Sequence, residues 1–289
     1  MSIRVVTDST CDLPAEIADE FHITIVPCVI LFGDEEVQDR VEITSEQFFK
    51  RLARESEVPT TTQPSAGAFR ETYEQLIKDG ATSILSLHLS GKLSGTLQSA
   101  RQAADGLSVP VEIVDSQQVS LALGMGVVEA ARAVQNGASL EQAKAVAEDV
   151  FRRSHLLLTL ETLEYLRRGG RMSRGQEIVG SLLKVKPIIT VENGEVAAVG
   201  RIRTKQKAIE HILDQLAQMR PYSHTFAVHA TTPDELDYVA TRLQGLAGTE
   251  ASQVTARVTP VLGVHTGPGM IGCGVVRAPD EHSPNTIPR

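Results

Sequence analysis

The chain has 289 residues, of which 42% are apolar, 22% charged and 4% aromatic, and its formal net charge at neutral pH is −8. This length is large for one hydrophobic core, and the composition is that of an ordinary globular protein, so we expect two domains. The acidic balance and the scarcity of aromatic residues argue against a nucleic-acid binder.

Strands and helices alternate in the predicted first half of the chain. Strands are predicted at Ile3–Thr7, Ile23–Leu31, 83–89 and 111–114, and helices after Asp12, Thr44, Ser65 and Gly95 and at about 118–135 and 139–154. Asp12 is expected to cap the first helix, and Thr44 begins a capping box with Gln47. This alternation predicts an α/β domain over residues 1–155, with a mostly parallel sheet and helices on both faces.

The second half has a different pattern. Asn193-Gly194 lies between two strand-like runs, Ile188–Val191 and Glu195–Val199, and predicts a type I′ hairpin. The remaining elements are predicted as strands at His155–Thr159, 224–230, 252–259 and 271–277, and as helices at Glu161–Gly169, from Thr204 to Met219 and from Pro233. The mixture predicts an α+β domain over residues 156–289 with a largely antiparallel sheet.

The cysteines and the N-terminal residues indicate a cellular compartment. Cys11, Cys28 and Cys273 are far apart and form no C-x-x-C pattern, which argues against a disulfide scaffold or a zinc site. The chain enters a strand-like run without a signal peptide, and no apolar run is long enough to span a bilayer. We expect a cytoplasmic protein with no metal site and no integral membrane segment.

A glycine-bearing loop, Ser90–Gly95, connects the strand at 83–89 to the helix that follows; we call it the Ser94 loop. The free backbone N–H groups and positive dipole end at the start of that helix favour an anionic ligand. Ser94 and Thr96 add hydroxyl groups, and Gly95 allows a ligand to approach the backbone closely. The alternative is an ordinary strand-to-helix turn in which Ser94 or Thr96 is the N-cap.

Two further loops carry side chains that can bind or catalyse, Thr60–Ser65 and His265–Gly269. If they meet the Ser94 loop, the three form a hydrogen-bonding cup in which His265 is the obvious candidate for a general base. The same residues suit an acyl hydrolase with Ser94 as nucleophile and His265 as base, provided that a carboxylate such as Asp8 or Asp115 orients the histidine. A histidine is also commonly structural.

Motifs for nucleotide chemistry are not found in the sequence. Gly267–Gly272 fits G-x-G-x-x-G, but a strand rather than a helix is predicted after it, so we reject nicotinamide or flavin binding. The sequence contains no Walker A, H-E-x-x-H or G-x-S-x-G pattern. We therefore expect no bound cofactor.

Positive charge is concentrated between Tyr165 and Lys207, where ten Lys and Arg face three Glu. We call this segment the basic window. Its cations are Arg167, Arg168, Arg171, Arg174, Lys184, Lys186, Arg201, Arg203, Lys205 and Lys207. A basic segment in an acidic protein indicates a site for an acidic or phosphorylated partner, and the alternative is a solvated face.

Several segments together resemble the DegV family, and they run in order through nearly the whole chain. They are Thr7–Pro14, Thr61–Ser65, Ser90–Ala100, Val114–Ser116, Leu163–Arg171, Leu182–Ile189, Arg201–Ala208 and His265–Gly269. One departure is Thr62, where the family more often has Ser; the hydroxyl is retained.

The resemblance implies a function as well as a fold. It implies a protein that holds one long-chain fatty acid between its two domains and serves as the fatty-acid-binding subunit of a bacterial fatty acid kinase. A separate ATP-binding chain would form the acyl phosphate for phospholipid metabolism, so this chain would not itself be the enzyme. A binding protein without a kinase partner is a further alternative.

The resemblance also implies roles for individual residues. The residues expected at the fatty acid carboxylate are Thr61, Thr62, Ser94, Gly95, His265 and Thr266. Arg171, Arg201 and Arg203 are expected to face the kinase or a phosphate, and which of Arg201 and Arg203 matters more is open.

Overall fold

The computed structural model describes residues 2–172, 185–249 and 251–279. Its strands are β1 (Ile3–Asp8), β2 (Ile23–Val26), β3 (Val29–Phe32), β4 (Glu35–Gln38), β5 (Thr60–Thr62), β6 (Ser83–His88), β7 (Val111–Asp115), β8 (Ser154–Thr159), β9 (Lys186–Glu192), β10 (Glu195–Ile202), β11 (Tyr222–His229), β12 (Ser252–Arg257) and β13 (Ile271–Arg277). Its α-helices are α1 (Ala15–Glu20), α2 (Ser45–Leu52), α3 (Ala66–Lys78), α4 (Thr96–Ala104), α5 (Leu121–Gln135), α6 (Leu140–Arg153), α7 (Glu164–Arg168), α8 (Lys205–Ala217), α9 (Pro233–Ala247) and α10 (Pro260–Thr266).

A four-stranded parallel sheet in the order β2-β1-β6-β7 forms the centre of the first half. Alternate side chains of its strands enter two different apolar clusters. Val6 and Ile84 pack with residues of α3 and α4, whereas Val5 and Leu85 belong to the cluster that contains α5. Burial on both faces explains why these strands are almost continuously apolar.

A six-stranded sheet in the order β10-β9-β8-β13-β11-β12 forms the second half, and every pair except β11–β12 is antiparallel. One face packs on α8 and α9. The other packs on α5, which also contacts β1, β2 and β6 of the parallel sheet. The α5–α6 pair therefore lies between the two sheets, and one apolar core runs from Val5 through α5 to Phe226 and Val276.

The predicted fold class is confirmed: an α/β fold with a parallel N-terminal sheet between helices and a largely antiparallel C-terminal sheet. The capping box at Thr44 is present, and Asn193 and Gly194 both have the positive φ of a type I′ turn. The change from one sheet to the other falls at the start of β8, Ser154. The domain boundary at residue 155 remains a prediction.

Three local predictions are wrong. Ile23–Leu31 is not one strand: Pro27 separates β2 from β3, which pairs instead with β4 and β5 in a small antiparallel sheet. Asp12 does not cap α1, because its carboxylate accepts hydrogen bonds from Ser120 Oγ at 2.5 Å and Thr259 N at 2.7 Å. His265 lies in the last turn of α10 rather than in a loop.

The close packing of α5 on α6 requires a glycine, and this gives a prediction. A Cβ at Gly126 would lie 2.0 Å from the Phe151 ring, so Gly126→Ala should destabilise the protein by roughly 1–3 kcal/mol. Gly245→Ala is the matched control, because that helical glycine in α9 has open space around it and should stabilise by roughly 0.5–1 kcal/mol. Urea denaturation measures both changes, and equal effects would contradict the packing argument.

Candidate functional site

The candidate site lies at the carboxyl edge of the parallel sheet. Strand β6 ends at His88, the Ser94 loop follows, and α4 begins at Thr96. In open α/β sheets, this edge is where ligands bind, because loops and helix N-termini converge there. The segments that follow β5 and α7 contact this loop, and the C-terminal end of α10 contacts β5 and the segment after α7.

The Ser94 hydroxyl is available to a ligand as a donor. Ser94 Oγ accepts a hydrogen bond from Thr96 N at 3.3 Å and lies 2.9 Å from Thr96 Oγ1. Thr96 is fully buried, so the arrangement favours donation by its hydroxyl to Ser94. The proton of the half-buried Ser94 then remains free for an external acceptor. The N-cap of α4 is Gly95, not Ser94 or Thr96.

Thr61 and His265 are in direct contact, although 204 positions separate them in the chain: Thr61 Oγ1 lies 2.8 Å from His265 Nε2. Thr61 is opposite the fully buried Ile30 of β3, so the two side chains share the inner face of the small sheet. Alternation along β5 puts Thr60 and Thr62 on the opposite face, and both are exposed. The structure thus brings Thr61, but not the side chain of Thr62, to His265.

Glycines make room for the His265 ring. A Cβ at Gly169 would lie 2.3 Å from His265 Nδ1, and a Cβ at Gly267, which has φ of +71°, would lie 2.3 Å from the Tyr165 ring. The segment after α7 and the end of α10 therefore pack together at van der Waals distance. Neither Gly169 nor Tyr165 is among the site residues predicted from the sequence.

The same packing determines the protonation of His265. Its Nδ1 is buried and has no hydrogen-bond partner among the described residues. A proton there would be an unsatisfied donor, so the arrangement favours the tautomer in which Nε2 donates to Thr61. Burial lowers the pKa of His265 to about 4, and the nearby charge of Arg171 acts in the same direction. The Thr61 hydroxyl keeps its own proton for another acceptor.

Arg171 connects His265 to the Ser94 loop. Its Nε donates to the Leu93 carbonyl at 3.2 Å, its Nη1 donates to the Gly169 carbonyl, and the side chain is half-buried. Gln63 connects β5 to the same loop, since a Cβ at Gly95 would lie 3.0 Å from the Gln63 amide nitrogen. We call the group Thr61, Ser94, Arg171 and His265 the polar cup. It contains three hydrogen-bonding groups and one cation, which suits a carboxylate or another small anion.

Thr266 and the other predicted arginines occupy different positions. The Thr266 hydroxyl donates to the Leu262 carbonyl of its own helix at 3.0 Å. Arg201, on the edge strand β10, and Arg203, just before α8, are both exposed. The roles of these residues remain predictions.

The basic window is less basic in space than in sequence. Three acids outside the window pair with four of its cations: Glu164 pairs with Arg167 and Arg168, Glu161 with Lys186, and the distant Glu235 with Lys205. Arg201, Arg203 and Lys207 form no ion pair with the described residues and are all exposed, so they carry most of the outward positive charge of the window's described part. Arg174, Lys184 and the first part of the Leu182–Ile189 segment lie outside the described residues.

The hydrolase arrangement is not formed in this structure. Ser94 Oγ bonds Thr96, and within the described ranges no carboxylate contacts His265. Asp115 accepts hydrogen bonds from Gly91 N and Gln117 N. Asp8, the other candidate, contacts a different histidine, His88.

Asp8 belongs to a buried series of hydrogen-bonded polar side chains. Asp8 Oδ2 lies 3.0 Å from His88 Nδ1, and His88 Nε2 lies 2.7 Å from Ser86 Oγ. Ser86 in turn bonds the Tyr73 hydroxyl at 2.8 Å. All four side chains have no measurable exposure, so this series has the order of a catalytic triad without access to a substrate. It satisfies polar groups within the sheet.

Neither a metal-binding cluster nor a membrane-spanning helix is found in the described part of the chain. The described residues contain no group of three or more His, Cys, Asp or Glu that could hold a metal ion. Among the described helices, none has the length and apolar character needed to cross a membrane.

Comparison with known proteins shows that nearly the whole chain is similar to one protein family. The model of the DegV family ("Uncharacterised protein, DegV family") matches residues 2–278. A DegV domain-containing protein of Streptomyces coelicolor is 36% identical over 277 residues, which cover 93% of this chain and 96% of the relative.

Solved structures agree with this relationship. A DegV family protein from Thermus thermophilus, described as binding fatty acid, is 34% identical and superposes with a TM-score of 0.88, covering 96% of this chain and 100% of that chain. DegV from Bacillus subtilis, described as a fatty acid binding protein, is 32% identical with a TM-score of 0.87 and the same coverage.

The lowered pKa of His265 predicts a pH dependence of stability. Between about pH 6.5 and 4, the unfolded chain binds a proton at this residue that the folded protein does not, so the free energy of unfolding falls as the pH falls. His265→Gln removes this contribution. Relative to the variant, the ligand-free wild type should lose roughly 2 kcal/mol between neutral pH and about pH 4.5. Urea titrations at several pH values test this, and parallel profiles would contradict it.

Proposed function

The chain belongs to the DegV family, and on that premise we propose that it binds one long-chain fatty acid, whose carboxylate sits in the polar cup. The observation that carries the proposal is the contact between Thr61 and His265 beside the Ser94 loop. This contact joins a hydroxyl and an imidazole from distant segments, and Arg171, which is hydrogen-bonded to the Leu93 carbonyl of the Ser94 loop, supplies a positive charge. Relatives with the same fold and 34% and 32% identity are described as fatty acid binding proteins.

The donors of the cup suit an ionised carboxylate better than a neutral group. Ser94 and Thr61 each keep a hydroxyl proton for an external acceptor, and a charged acceptor strengthens such hydrogen bonds. A carboxylate beside the imidazole also favours its protonated form, because opposite charges attract. Binding is therefore expected to raise the pKa of His265 from its ligand-free value. Thr62, Gly95 and Thr266 belong to the proposed carboxylate site as flanking residues.

The acyl tail requires a long apolar environment next to the cup. Ile30, on the same face as Thr61, and Val261 and Val264 of α10 belong to the continuous apolar core that also contains α5. Burial of each methylene contributes about 0.8 kcal/mol, so a dozen contribute roughly 10 kcal/mol before the costs of ordering. We infer that the tail enters this core between residues 1–155 and 156–289, the two proposed domains.

We further propose that the chain presents its fatty acid to a separate ATP-dependent kinase in the cytoplasm, which forms the acyl phosphate used in phospholipid metabolism. The sequence has no nucleotide-binding motif of its own, so the phosphate donor would come with the partner. The exposed Arg201 and Arg203 suit an acidic or phosphate-bearing surface. Arg171 lies at the cup, where it can act on both the carboxylate and an incoming phosphate.

The first prediction from the proposed function is that the purified protein carries one fatty acid per chain. Native mass spectrometry followed by organic extraction should give a one-to-one complex and a long-chain acid, since an empty apolar site is costly in water. Protein that yields no lipid on extraction and takes up no added palmitic or oleic acid would contradict the proposed function.

The second prediction concerns the donors of the cup. Ser94→Ala and Thr61→Val should each weaken palmitic acid binding by roughly 1–3 kcal/mol, because each leaves a charged acceptor short of one donor. Thr60→Val is the matched control, since Thr60 lies on the same strand with its side chain on the opposite, exposed face. Titration with a fluorescent fatty acid measures the affinities, and melting temperatures report folding. An effect on melting temperature alone would assign Ser94 a purely structural role.

The third prediction separates the partner surface from the lipid site. Arg203→Ala should leave palmitic acid affinity unchanged and reduce acyl phosphate formation with a cognate kinase. The difference from the wild type should be largest at low salt and shrink as salt is added, because salt screens the charge that the variant lacks. Arg220→Ala is the control, because Arg220 is exposed at the opposite end of α8. Loss of palmitic acid from the Arg203 variant would place this arginine in the lipid site instead.

A further inference from the structure

The tip of the β9–β10 hairpin contacts the Ser94 loop, although the hairpin belongs to the second sheet. The Ser90 hydroxyl donates a hydrogen bond to the Gly194 carbonyl at 2.7 Å. Ser90 has no measurable exposure, so this hydrogen bond is shielded from water. It joins residues that are 104 positions apart and belong to the two halves of the molecule.

Ser90 also organises its own loop. Its carbonyl accepts hydrogen bonds from Leu93 N at 3.0 Å and from Ser94 N at 3.3 Å, and its Oγ accepts from Lys92 N at 3.2 Å. Its own N–H donates to the Gln118 carbonyl at 2.9 Å. A displacement of Ser90 would therefore move the backbone of Ser94 directly.

Position 194 accepts only glycine without strain. Gly194 has φ of +78°, in the left-handed region, and an added Cβ would lie 2.5 Å from Ser90 Oγ. The hairpin tip thus approaches the loop more closely than a residue with a side chain would permit. Further along the loop, Arg171 donates a hydrogen bond to the Leu93 carbonyl. The second half of the chain therefore forms hydrogen bonds with the Ser94 loop at two points.

We propose that the hydrogen bond between Ser90 and Gly194 is a positioning contact for carboxylate recognition: the hairpin of the second sheet holds the Ser94 hydroxyl where the fatty acid head group needs it. This inference rests on the proposed function. Ser90 is fully buried, so it acts through Ser94 rather than by touching the lipid. The contact also joins the loop to the tip of the hairpin whose second strand, β10, carries Arg201.

The contact predicts a loss that is specific to the head group. Ser90→Ala should weaken palmitic acid binding roughly three- to tenfold, the effect expected when one hydrogen bond no longer holds its partner. Binding of hexadecanol, which has the same chain length and no carboxylate, should change less than about twofold, because the apolar tail site is untouched. A variant that stays folded but binds palmitic acid like the wild type overturns the proposal, as does equal weakening for both lipids.

A double-mutant cycle tests whether Ser90 acts through Ser94. In a Ser94→Ala background, Ser90→Ala should have almost no further effect on palmitic acid affinity, because the hydroxyl that it positions is gone. Additive losses would contradict the proposal. A wild type that binds neither lipid would instead overturn the proposed function itself.

A second variant, Gly194→Ala, tests the same contact in case Ser90→Ala does not fold. Gly194→Ala should weaken palmitic acid more than hexadecanol, since its methyl group pushes on Ser90 Oγ. Gly33→Ala is the control: Gly33 is also a turn glycine, with φ of +62°, but has nothing within 4 Å of the added Cβ. Equal lipid affinities for the two glycine variants would contradict the proposed role of the contact.

Discussion

The structure depends on a helix that is buried from both sides. The helix α5 packs on β1, β2 and β6 of the parallel sheet and on β8, β11 and β13 of the second sheet, and nearly every residue from Leu121 to Ala131 is buried. A helix that is apolar all round can be stable only inside a core. Because the two sheets share this layer, their edges have a fixed relation, and segments far apart in sequence can meet at one site.

The chemistry of the site follows from that placement. His265 is held against Gly169 with its pKa lowered by burial, so it is a neutral hydrogen-bond donor at physiological pH. Arg171 lies at the cup, and Glu161 and Glu164 neutralise cations elsewhere in the basic window. Within the described part of the basic window, the cations without an ion pair are Arg171 at the cup and the exposed Arg201, Arg203 and Lys207, two places that suit an anion and an acidic partner respectively.

Access and hydrogen-bond pairing, rather than the set of residue types, distinguish the polar clusters of this molecule from a catalytic triad. Asp8, His88 and Ser86 have the hydrogen-bond order of a hydrolase triad but are sealed within the sheet. The half-buried Ser94 and His265 are accessible, yet each is paired with a threonine instead of with the other. A motif search finds serine, histidine and aspartate in either case, and only their geometry assigns them roles.

The sequence by itself determined the alternating strands and helices, the Asn193-Gly194 hairpin, the Thr44 capping box and the family, because these depend on local periodicity, turn chemistry and short motifs. It also pointed to Thr61, Ser94 and His265 separately. It missed α10, although Pro260 at its start and Gly267 after its end are the usual helix boundary signals. It also assigned Asp12 to a local cap, whereas a partner 247 positions away competes for that carboxylate. Only the tertiary structure decided that Thr61 contacts His265, that Thr62 lies on the other face, and that Gly194 reaches Ser90, because each of these contacts depends on how two sheets pack against one shared helix.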